Sequence, residues 1–185
     1  LIESGMQRLT TTRVAERAGV SVGTMYQYFP HKESLVYALN ERYLQALAQM
    51  IEGVCASLHG APISDMVRAL VHTYWHAKTE KPEVTRALYR SVAEMDNQPL
   101  IDAFAARVDA ATSAMFASAR DAQFADLDSV NLTLLTVIFG AVRSAFERNL
   151  PPSANEALKE QLVLMCRTYV AQKQLAPLSR SPAPH

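Results

Sequence analysis

The sequence predicts an all-α protein in which a small N-terminal helix-turn-helix unit precedes a larger helical domain. Apolar residues recur at helical spacing, strand-like alternation is scarce, and glycine and proline fall mostly between the periodic segments. The 185 residues include only 6 glycines, and the hydrophobic fraction of 49% is enough for a buried core. We expect the helix-turn-helix domain in residues 1–45, with its first helix truncated at the start, and the helical regulatory domain in 46–174. The proline- and serine-containing tail, 175–185, is expected to be disordered.

Residues 10–35, TTTRVAERAGVSVGTMYQYFPHKESL, predict two short helices joined by a tight turn. Ala15 is small enough for the helices to cross closely, and Gly19 suits the left-handed turn that ends the first one. Ser21 is expected to cap the second helix, Val22 to Tyr28, by accepting a backbone amide proton. This arrangement is a helix-turn-helix, whose second helix is shaped to enter the major groove of DNA.

The elements on either side of this pair follow from the same signals. Residues 1–5 are expected to be the end of a helix with its glycine stop, and Thr11 or Thr12 should cap the first helix of the pair. Pro30 ends the second helix. A long helix over about 31–58 then carries apolar residues at helical spacing and should connect the helix-turn-helix to the body.

Five further helices are predicted in the body, separated by proline- and asparagine-containing breaks. Ser64 or Asp65 is expected to cap the first of them, and Asp126 lies at the start of the fourth. Their approximate ranges are 64–79, 83–95, 98–120, 126–148 and 155–174.

The last two helices indicate a subunit interface. Between Val130 and Phe146 nearly every face is apolar, and a soluble helix of that kind must be covered on two sides. The final helix carries Leu158, Leu162, Met165 and Tyr169 on one stripe. We favour a four-helix interface between two copies, although both helices could instead line the core of one protomer.

The charge and the cysteines of the sequence indicate how the protein could contact DNA and in which compartment it is expected. The overall net charge is zero, and residues 1–43 carry five basic and four acidic side chains, so any footprint on DNA must come from the placement of charges. Cys55 and Cys166 have no disulfide or metal spacing and are expected to be buried in a reducing cytoplasm. No signal peptide is evident, and no stretch approaches the 18 uninterrupted apolar residues of a membrane span.

A run of residue types extends without a gap through the helix-turn-helix: Thr11-x3-Ala15-x2-Ala18-Gly19-Val20-Ser21-x-Gly23-Thr24-x-Tyr26-x-Tyr28-Phe29-x2-Lys32-x2-Leu35. This run resembles the DNA-binding domain of the tetracycline-repressor (TetR) family of bacterial transcriptional regulators. The resemblance implies a homodimer that binds a palindromic double-stranded operator and is released by a small molecule. It also places most of the first helix upstream of Leu1, so the phosphate contacts of that helix would lie outside this sequence.

Base recognition is expected from the second helix of the pair. Val22 and Thr24 can contact a thymine methyl group, and Gln27 can pair bidentately with adenine. Gly23 has no side chain and would let the backbone approach the DNA closely. Because Val22 replaces a position that is often polar in the family, sequence-dependent DNA shape is expected to carry part of the specificity.

Phosphate contacts are expected from the flanks of the same helix. The hydroxyls of Tyr26 and Tyr28 suit phosphate oxygens, with their rings packed against the domain, although Tyr28 could be only a core aromatic. The resemblance implies that Thr11 and Lys32 hold the DNA backbone. Ser21, which caps the helix, completes the candidate DNA-binding set.

The resemblance also implies that the helices after residue 50 enclose a pocket for a largely apolar effector. Occupancy of that pocket would change the spacing of the two DNA-reading helices through differential affinity. The candidate lining residues are His72, Trp75, His76, Tyr89, Met95, Phe104, Met115, Phe116, Phe139 and Arg143. Most of them could instead be ordinary core residues. Arg143 could pair with an anionic ligand or with a carboxylate across the dimer.

Two histidines leave a metal site as an alternative. His72 and His76 are four residues apart and Glu80 follows one turn later, so the three could share a helix face and bind a divalent ion. No general base of a hydrolytic metal motif accompanies them, and chance pairs of histidines are common. We therefore expect neither a metal nor a cofactor.

These patterns predict a cytoplasmic, homodimeric DNA-binding repressor that is neither an enzyme nor a membrane protein. Two other functions remain open. One is an architectural DNA binder without a ligand, and the other is a metal-dependent helical enzyme. The second would leave residues 10–35 unexplained and offers no set of nucleophile and base.

Overall fold

A computed structural model describes residues 10–94, 96–148 and 150–175 and confirms the all-α fold for them. No β-strand forms in those ranges, and Phe124 and Gln174 make only an isolated antiparallel bridge. The helices are α1 (Thr11–Ala18), α2 (Val22–Tyr28), α3 (Lys32–Ser57), α4 (Ile63–Thr79), α5 (Pro82–Glu94), α6 (Gln98–Ala117), α7 (Leu127–Glu147) and α8 (Pro152–Lys173). The expected helix before Gly5 and the expected tail after Leu175 lie outside the described residues.

The turn between α1 and α2 forms as the sequence predicts. Gly19 adopts a left-handed conformation with φ of 69°, and its amide donates to the carbonyl oxygens of the last turn of α1. Ser21 is extended, and its Oγ accepts the amide proton of Thr24 at 3.0 Å, which caps α2. The predicted glycine stop and serine cap are confirmed.

The cap of α1 was predicted one or two residues too late. Thr10 is the capping residue, and its side chain accepts from the amide of Arg13 at 3.2 Å. The chain is still extended at Thr10, with φ of −124° and ψ of 146°, whereas Thr11 and Thr12 are already helical. All three threonines offer the same hydroxyl, so only the backbone conformation selects among them.

The long helix α3 joins two separate buried regions. Its first turns bury Leu35 and Val36 near the helix-turn-helix, whereas Leu47, Ile51 and Cys55 belong to the core of the body. With 26 residues it is about 39 Å long, as expected from the rise per residue. The helix is uninterrupted across residue 45, so the helix-turn-helix unit and the body share one continuous element.

Two side-chain contacts fix α3 to α6. Glu52 and Arg107 form a bidentate ion pair with N–O distances of 2.8 and 2.7 Å, and the arginine holds the pKa of the Glu52 carboxyl below its usual range. Nearer the helix-turn-helix, the buried side-chain amide of Asn40 donates to Asn97 Oδ1 at 3.1 Å. Buried polar side chains normally satisfy each other in this way, and the pair fixes the register of the two helices.

The core of the body forms around α4. Buried residues follow one another along this helix at helical spacing and contact α3, α7 and α8; they are Ile63, Met66, Val67, Leu70, Val71, Tyr74, Trp75 and Lys78. The predicted caps Ser64 and Asp65 are wrong, since α4 begins at Ile63 after Pro62. The amide of Ile63 donates instead to Asp121 Oδ1, at 2.8 Å, from the loop that follows α6.

The last two helices pack against each other and against α4. Helix α7 begins after Asp126, as predicted, and the Asp126 side chain caps it, whereas α8 begins three residues earlier than expected. By length and composition α7 is the one helix among those described that could cross a membrane. Seven of its residues are nevertheless buried in the protomer, including the polar Asn131, which is the behaviour of a core helix.

The two glycines at positions 19 and 53 give opposite stability predictions. An alanine at Gly19 must adopt a positive φ, so we expect Gly19→Ala to lower the free energy of unfolding by about 1 kcal/mol. Gly53 lies inside α3, and a methyl group at this position would meet no neighbouring atom within 4 Å. Gly53→Ala should therefore raise the free energy of unfolding by about 0.5–1 kcal/mol. Urea unfolding followed by circular dichroism measures both changes. A Gly19→Ala protein as stable as the wild type would contradict the conformational explanation.

Candidate functional site

The surface formed by α2 is exposed over nearly the whole helix. Of its seven residues only Met25 is buried, whereas Tyr28 is 74% exposed, Tyr26 49% and Val22 36%. Gln27 and Thr24 are exposed as well. Apolar and aromatic side chains concentrated on one short exposed helix are typical of a surface that binds a partner.

The tyrosine rings lie differently from the expectation. Both were expected to pack against the domain while their hydroxyls reached phosphates, but the Tyr28 ring is largely exposed and the Tyr26 ring is half exposed. Met25 alone anchors α2, because a helix of seven residues offers about two turns and only one of its sides contacts the domain. Both rings are therefore accessible along with their hydroxyls.

Gly23 is not required by the packing of the protomer. A Cβ placed on it would meet only Ser21 Oγ, at 3.8 Å, which is an ordinary contact distance. Glycine inside a helix destabilises it relative to alanine by roughly 0.5–1 kcal/mol. A glycine without an internal reason on an exposed helix supports the interpretation that the backbone is approached closely from outside.

The remaining predicted DNA-binding residues lie at both ends of α2. Ser21 Oγ caps the helix and lies 2.7 Å from Thr24 Oγ1, so these two hydroxyls are hydrogen-bonded to each other. Lys32 begins α3, and its ammonium is 3.9 Å from the carboxylate of Glu33, with both side chains about half exposed. An exposed pair of this kind contributes little stability, so the ammonium remains available to a stronger anion. The side chain of Thr11 lies outside the described part of the structure.

In the body, the ten predicted lining residues separate into groups. Trp75, Met115 and Phe116 are buried in the main core, where they pack against neighbouring helices. Met95 lies outside the described residues. Four others form two contacting pairs, Phe104 with Phe139 and Tyr89 with Arg143.

The two histidines face different carboxylates. His72 Nε2 is 3.9 Å from Glu160 of α8, whereas His76 Nε2 is 3.8 Å from Glu80 at the end of its own helix. No group of three or more histidine, cysteine or acidic side chains that could hold a metal occurs among the described residues. The arrangement therefore gives no support to the metal-dependent enzyme.

A buried lysine that was not predicted from the sequence lies among the aromatic residues. Lys78 is only 4% exposed, and its Nζ lies 4.7, 5.5 and 5.2 Å from the ring centroids of Tyr43, Tyr74 and Tyr89. We call these four residues the tyrosine cluster. Its rings come from α3, α4 and α5, so three helices meet at one ammonium group.

Aromatic and cationic groups surround the tyrosine cluster. Phe139 of α7 stacks on Tyr74 with ring centroids 4.2 Å apart, and Phe104 lies 6.0 Å from Phe139. On the exposed side, the Arg143 guanidinium lies 5.6 Å from the Tyr89 ring and pairs with Glu147 at 2.7 Å. Within the protomer Arg143 therefore pairs with a carboxylate of its own helix, whereas the expected pairing with a ligand or across a dimer stays a prediction.

The electrostatics of the tyrosine cluster are set mainly by burial. Desolvation lowers the pKa of Lys78 to about 8, and no carboxylate of the described residues lies within ion-pair distance of its Nζ. Burial also raises the pKa of Tyr89 to about 12. The Tyr43 hydroxyl is buried and makes no hydrogen bond within 3.5 Å, although the Thr85 hydroxyl, which donates to the Lys78 carbonyl, lies near enough to oppose the rise in its pKa. The Lys78 ammonium, whose contacts are aromatic rings, therefore lies 4.7 Å from the ring centroid of a tyrosine whose hydroxyl makes no hydrogen bond.

Lys78 could have been found from its spacing. It stands seven residues after Val71 and four after Tyr74, on the buried stripe of α4. A lysine at a position where the helical period calls for an apolar residue is a conflict between local pattern and fold, and such conflicts concentrate at functional sites.

The burial of Lys78 predicts a pH-dependent stability. Between pH 8 and about 10 the unfolded chain binds more protons at this lysine than the folded chain. The free energy of unfolding therefore rises with pH in this range, because the folded protein no longer has to bury a charged Lys78. Lys78→Met removes the buried ammonium and should raise the free energy of unfolding at pH 7 by up to about 3 kcal/mol. The increase is smaller to the extent that the variant also loses the cation–π attraction between the ammonium and the rings.

Urea unfolding at pH 7 and at pH 9.5 measures this difference. We expect the advantage of Lys78→Met over the wild type to decrease strongly at the higher pH. The exposed Lys81 provides the matched control, because Lys81→Met should change stability equally at both pH values. An advantage of Lys78→Met that stays constant with pH would contradict a depressed lysine pKa.

Two family models match the chain, one ending within the first turns of α3 and the other beginning after that helix. Residues 62–169 match the tetracyclin repressor-like C-terminal domain, and residues 1–39 match the tetR family of bacterial regulatory proteins. Together they cover the helix-turn-helix and the body described above.

The chain is also similar to proteins named nucleoid occlusion factor SlmA. It is 36% identical to the one from Haemophilus ducreyi over 98 residues, which are 53% of this chain and 48% of that protein. It is 38% identical to the one from Actinobacillus pleuropneumoniae serotype 5b over 86 residues, 46% of this chain and 42% of that protein. The chain thus matches somewhat less than half the length of these relatives.

A solved structure shares the fold. The crystal structure of a TetR transcriptional regulator from Rhodococcus sp. RHA1 aligns with a TM-score of 0.50 at 20% identity, covering 89% of this chain and 87% of that one. The match to the C-terminal domain alone spans more than half of the sequence. The chain therefore belongs to the tetracycline-repressor family, with that family's helix-turn-helix domain followed by its helical C-terminal domain.

Proposed function

We propose that the protein is a homodimeric repressor that binds a palindromic operator through α2 of each protomer and is released by a small organic effector. The observation that carries this proposal is the exposed α2, on which only Met25 is used for packing. Gln27, Thr24 and Val22 are then the residues that contact base edges, and Gly23 allows the close approach. The protein would act on DNA in the cytoplasm, without a catalytic role.

Phosphate contacts are assigned to the flanks of α2. The exposed hydroxyls of Tyr26 and Tyr28 and the ammonium of Lys32 are suited to phosphate oxygens, and the resemblance adds Thr11. Ser21 contributes by fixing the start of α2, since its hydroxyl is already hydrogen-bonded to Thr24.

A second copy is proposed to cover the outer faces of α7 and α8. Leu132 is 62% exposed, and Leu164 and Met165 are 59% and 53% exposed. On α8 the exposed positions at helical spacing around Leu164 are uncharged: Ala157, Gln161, Leu164, Thr168 and Ala171. An uncharged stripe with an exposed leucine at its centre is typical of a helix–helix interface. A two-fold dimer also matches a palindromic operator.

The effector would act through α3. This helix carries Lys32 at its start and Tyr43 in the tyrosine cluster, and it is bonded to α6 through Asn40 and Glu52. A ligand among these residues that binds better to one placement of α3 shifts the population of that placement. The DNA-reading helices of the dimer would then no longer match the spacing of two half-sites.

A second function is favoured by the relatives named nucleoid occlusion factor. In that case the protein would be the ligand-independent architectural DNA binder considered above, which would occupy many chromosomal positions. Mapping of its chromosomal sites distinguishes the two: a few sites beside genes support the repressor, whereas many dispersed sites support nucleoid occlusion.

Selection from a random DNA library at near-physiological salt tests sequence reading. We expect an inverted repeat, and Gln27→Ala should relax the preference at one base pair per half-site, at a cost of about 1–3 kcal/mol for that base. Gln45→Ala, an exposed glutamine further along α3, is the control. A Gln27→Ala profile identical to the wild type would refute the assigned contact.

The phosphate assignment predicts a different signature. Tyr26→Phe combined with Lys32→Ala should weaken binding to all DNA sequences alike and reduce the slope of log affinity against log salt by about 1. Fluorescence anisotropy of labelled operator over a salt series measures both. Lys81→Ala should leave the slope unchanged, and an unaltered slope in the double variant would exclude Lys32 from the phosphate contacts.

The proposed dimer is tested with a charge on the uncovered stripe. Leu164→Glu adds a charge to a residue that is exposed in the protomer, so folding should be preserved, but the dimer would have to bury it. We expect its dissociation constant to rise on the order of a hundredfold or more by sedimentation. Ile101→Glu on α6 is the control, and a Leu164→Glu protein that still dimerises like the wild type would exclude this face.

A further inference from the structure

We propose that the effector is an organic anion, with an apolar body and one carboxylate that pairs with Lys78 inside the tyrosine cluster. This inference rests on the ligand-released function proposed above and names the chemical class of its ligand. It goes beyond the family resemblance, which implies only a largely apolar small molecule.

The first step is the uncompensated charge. Lys78 is 4% exposed, and no described carboxylate lies within ion-pair distance of its ammonium. Fully buried lysines are nearly always paired, because the charge is otherwise costly to keep out of water. The rings of Tyr43, Tyr74 and Tyr89 supply cation–π attraction, but an anion would supply the missing countercharge.

The second step is the sign of the charges around the cluster. The Tyr89 ring has Lys78 at 5.2 Å and Arg143 at 5.6 Å, so two cations lie within cation–π distance of it. Arg143 already binds the Glu147 carboxylate at 2.7 Å, whereas Lys78 has no carboxylate partner among the side chains that the structure describes. A cationic effector would be repelled here, and a carboxylate would be directed to Lys78.

The third step is the apolar body. Phe139 stacks on Tyr74, and Phe104 lies 6.0 Å from Phe139, so an aromatic wall extends from the cluster toward α6 and α7. Ligand sites commonly combine such a wall with a few polar groups that fix orientation. An anion with an aromatic or aliphatic body matches this distribution of groups.

The last step connects the ligand to DNA binding. The Tyr43 hydroxyl is buried without a hydrogen bond, the Tyr43 ring lies 4.7 Å from the ammonium, and Tyr43 belongs to α3. A carboxylate on Lys78 would give this hydroxyl an acceptor. The bound ligand therefore interacts directly with the helix that carries the DNA-reading part, which supplies the differential contact that release requires.

Paired carboxylates and primary amides test the charge requirement on the full chain. The probes are benzoate and benzamide, cinnamate and cinnamamide, and hexanoate and hexanamide, titrated while the emission of Trp75, the one tryptophan of the chain, is followed. Operator binding by anisotropy is measured in parallel. We expect at least one carboxylate to bind on the order of tenfold or more tightly than its amide, and to release the operator.

Variants assign this preference to the cluster. Lys78→Gln should abolish the preference for the carboxylate, whereas Lys78→Arg should keep part of that preference. The exposed control Lys81→Gln should keep the whole preference. If circular dichroism shows that the Lys78 variants do not fold, Tyr43→Phe replaces them, since loss of that hydroxyl should weaken the carboxylate several-fold and leave the amide unchanged.

The outcomes separate the inference from the function on which it rests. Amides that bind as tightly as carboxylates, or a preference that survives Lys78→Gln, would overturn the anionic effector; if such an amide releases the operator, ligand-released repression still stands. Carboxylate binding that depends on Lys78 but leaves operator binding unchanged would support the anion site and contradict release. Carboxylates that fail to bind a protein still active on its operator would overturn the inference.

Discussion

The continuity of α3 is the constraint on which the rest of the structure depends. One helix of 26 residues is buried at its start near the helix-turn-helix and at its end in the core of the body. No turn or proline interrupts it, so a displacement in the body reaches Lys32 without loss in a flexible linker. The Glu52–Arg107 and Asn40–Asn97 contacts then decide which neighbour α3 follows, and that neighbour is α6.

Much of the architecture was predictable because its signals are local. The Gly19 turn, the Ser21 cap and the start of α7 after Asp126 each depend on one residue and its own backbone, and all three are confirmed. The start of α4 was not predictable in this way. Its first amide is satisfied by Asp121, 58 residues later in the chain, and no local pattern carries that information.

The candidate sites divide along the same line. Helix α2 has only seven residues, so its exposed positions follow from the helical period once Met25 is recognised as the buried residue. The tyrosine cluster does not, because its members come from three helices and only their packing brings Tyr43, Tyr74 and Tyr89 around one ammonium. Aromatic residues in the body were singled out by type, whereas Lys78 was missed because a lysine on a helix is usually exposed.

The two loops at the far end of α3 are joined by hydrogen bonds, and this has a geometric consequence. The Gly60 amide donates to Ser118 Oγ at 3.0 Å, the Arg120 amide to the Ala61 carbonyl at 3.4 Å, and the Ile63 amide to Asp121 at 2.8 Å. These bonds hold the C-terminal end of α3 in place. At about 1.5 Å per residue, Tyr43 lies roughly 21 Å from Ser57 and Lys32 roughly 38 Å. If α3 rotates as a rigid helix about this end, a shift of about 1 Å at Tyr43 becomes a shift of nearly 2 Å at Lys32.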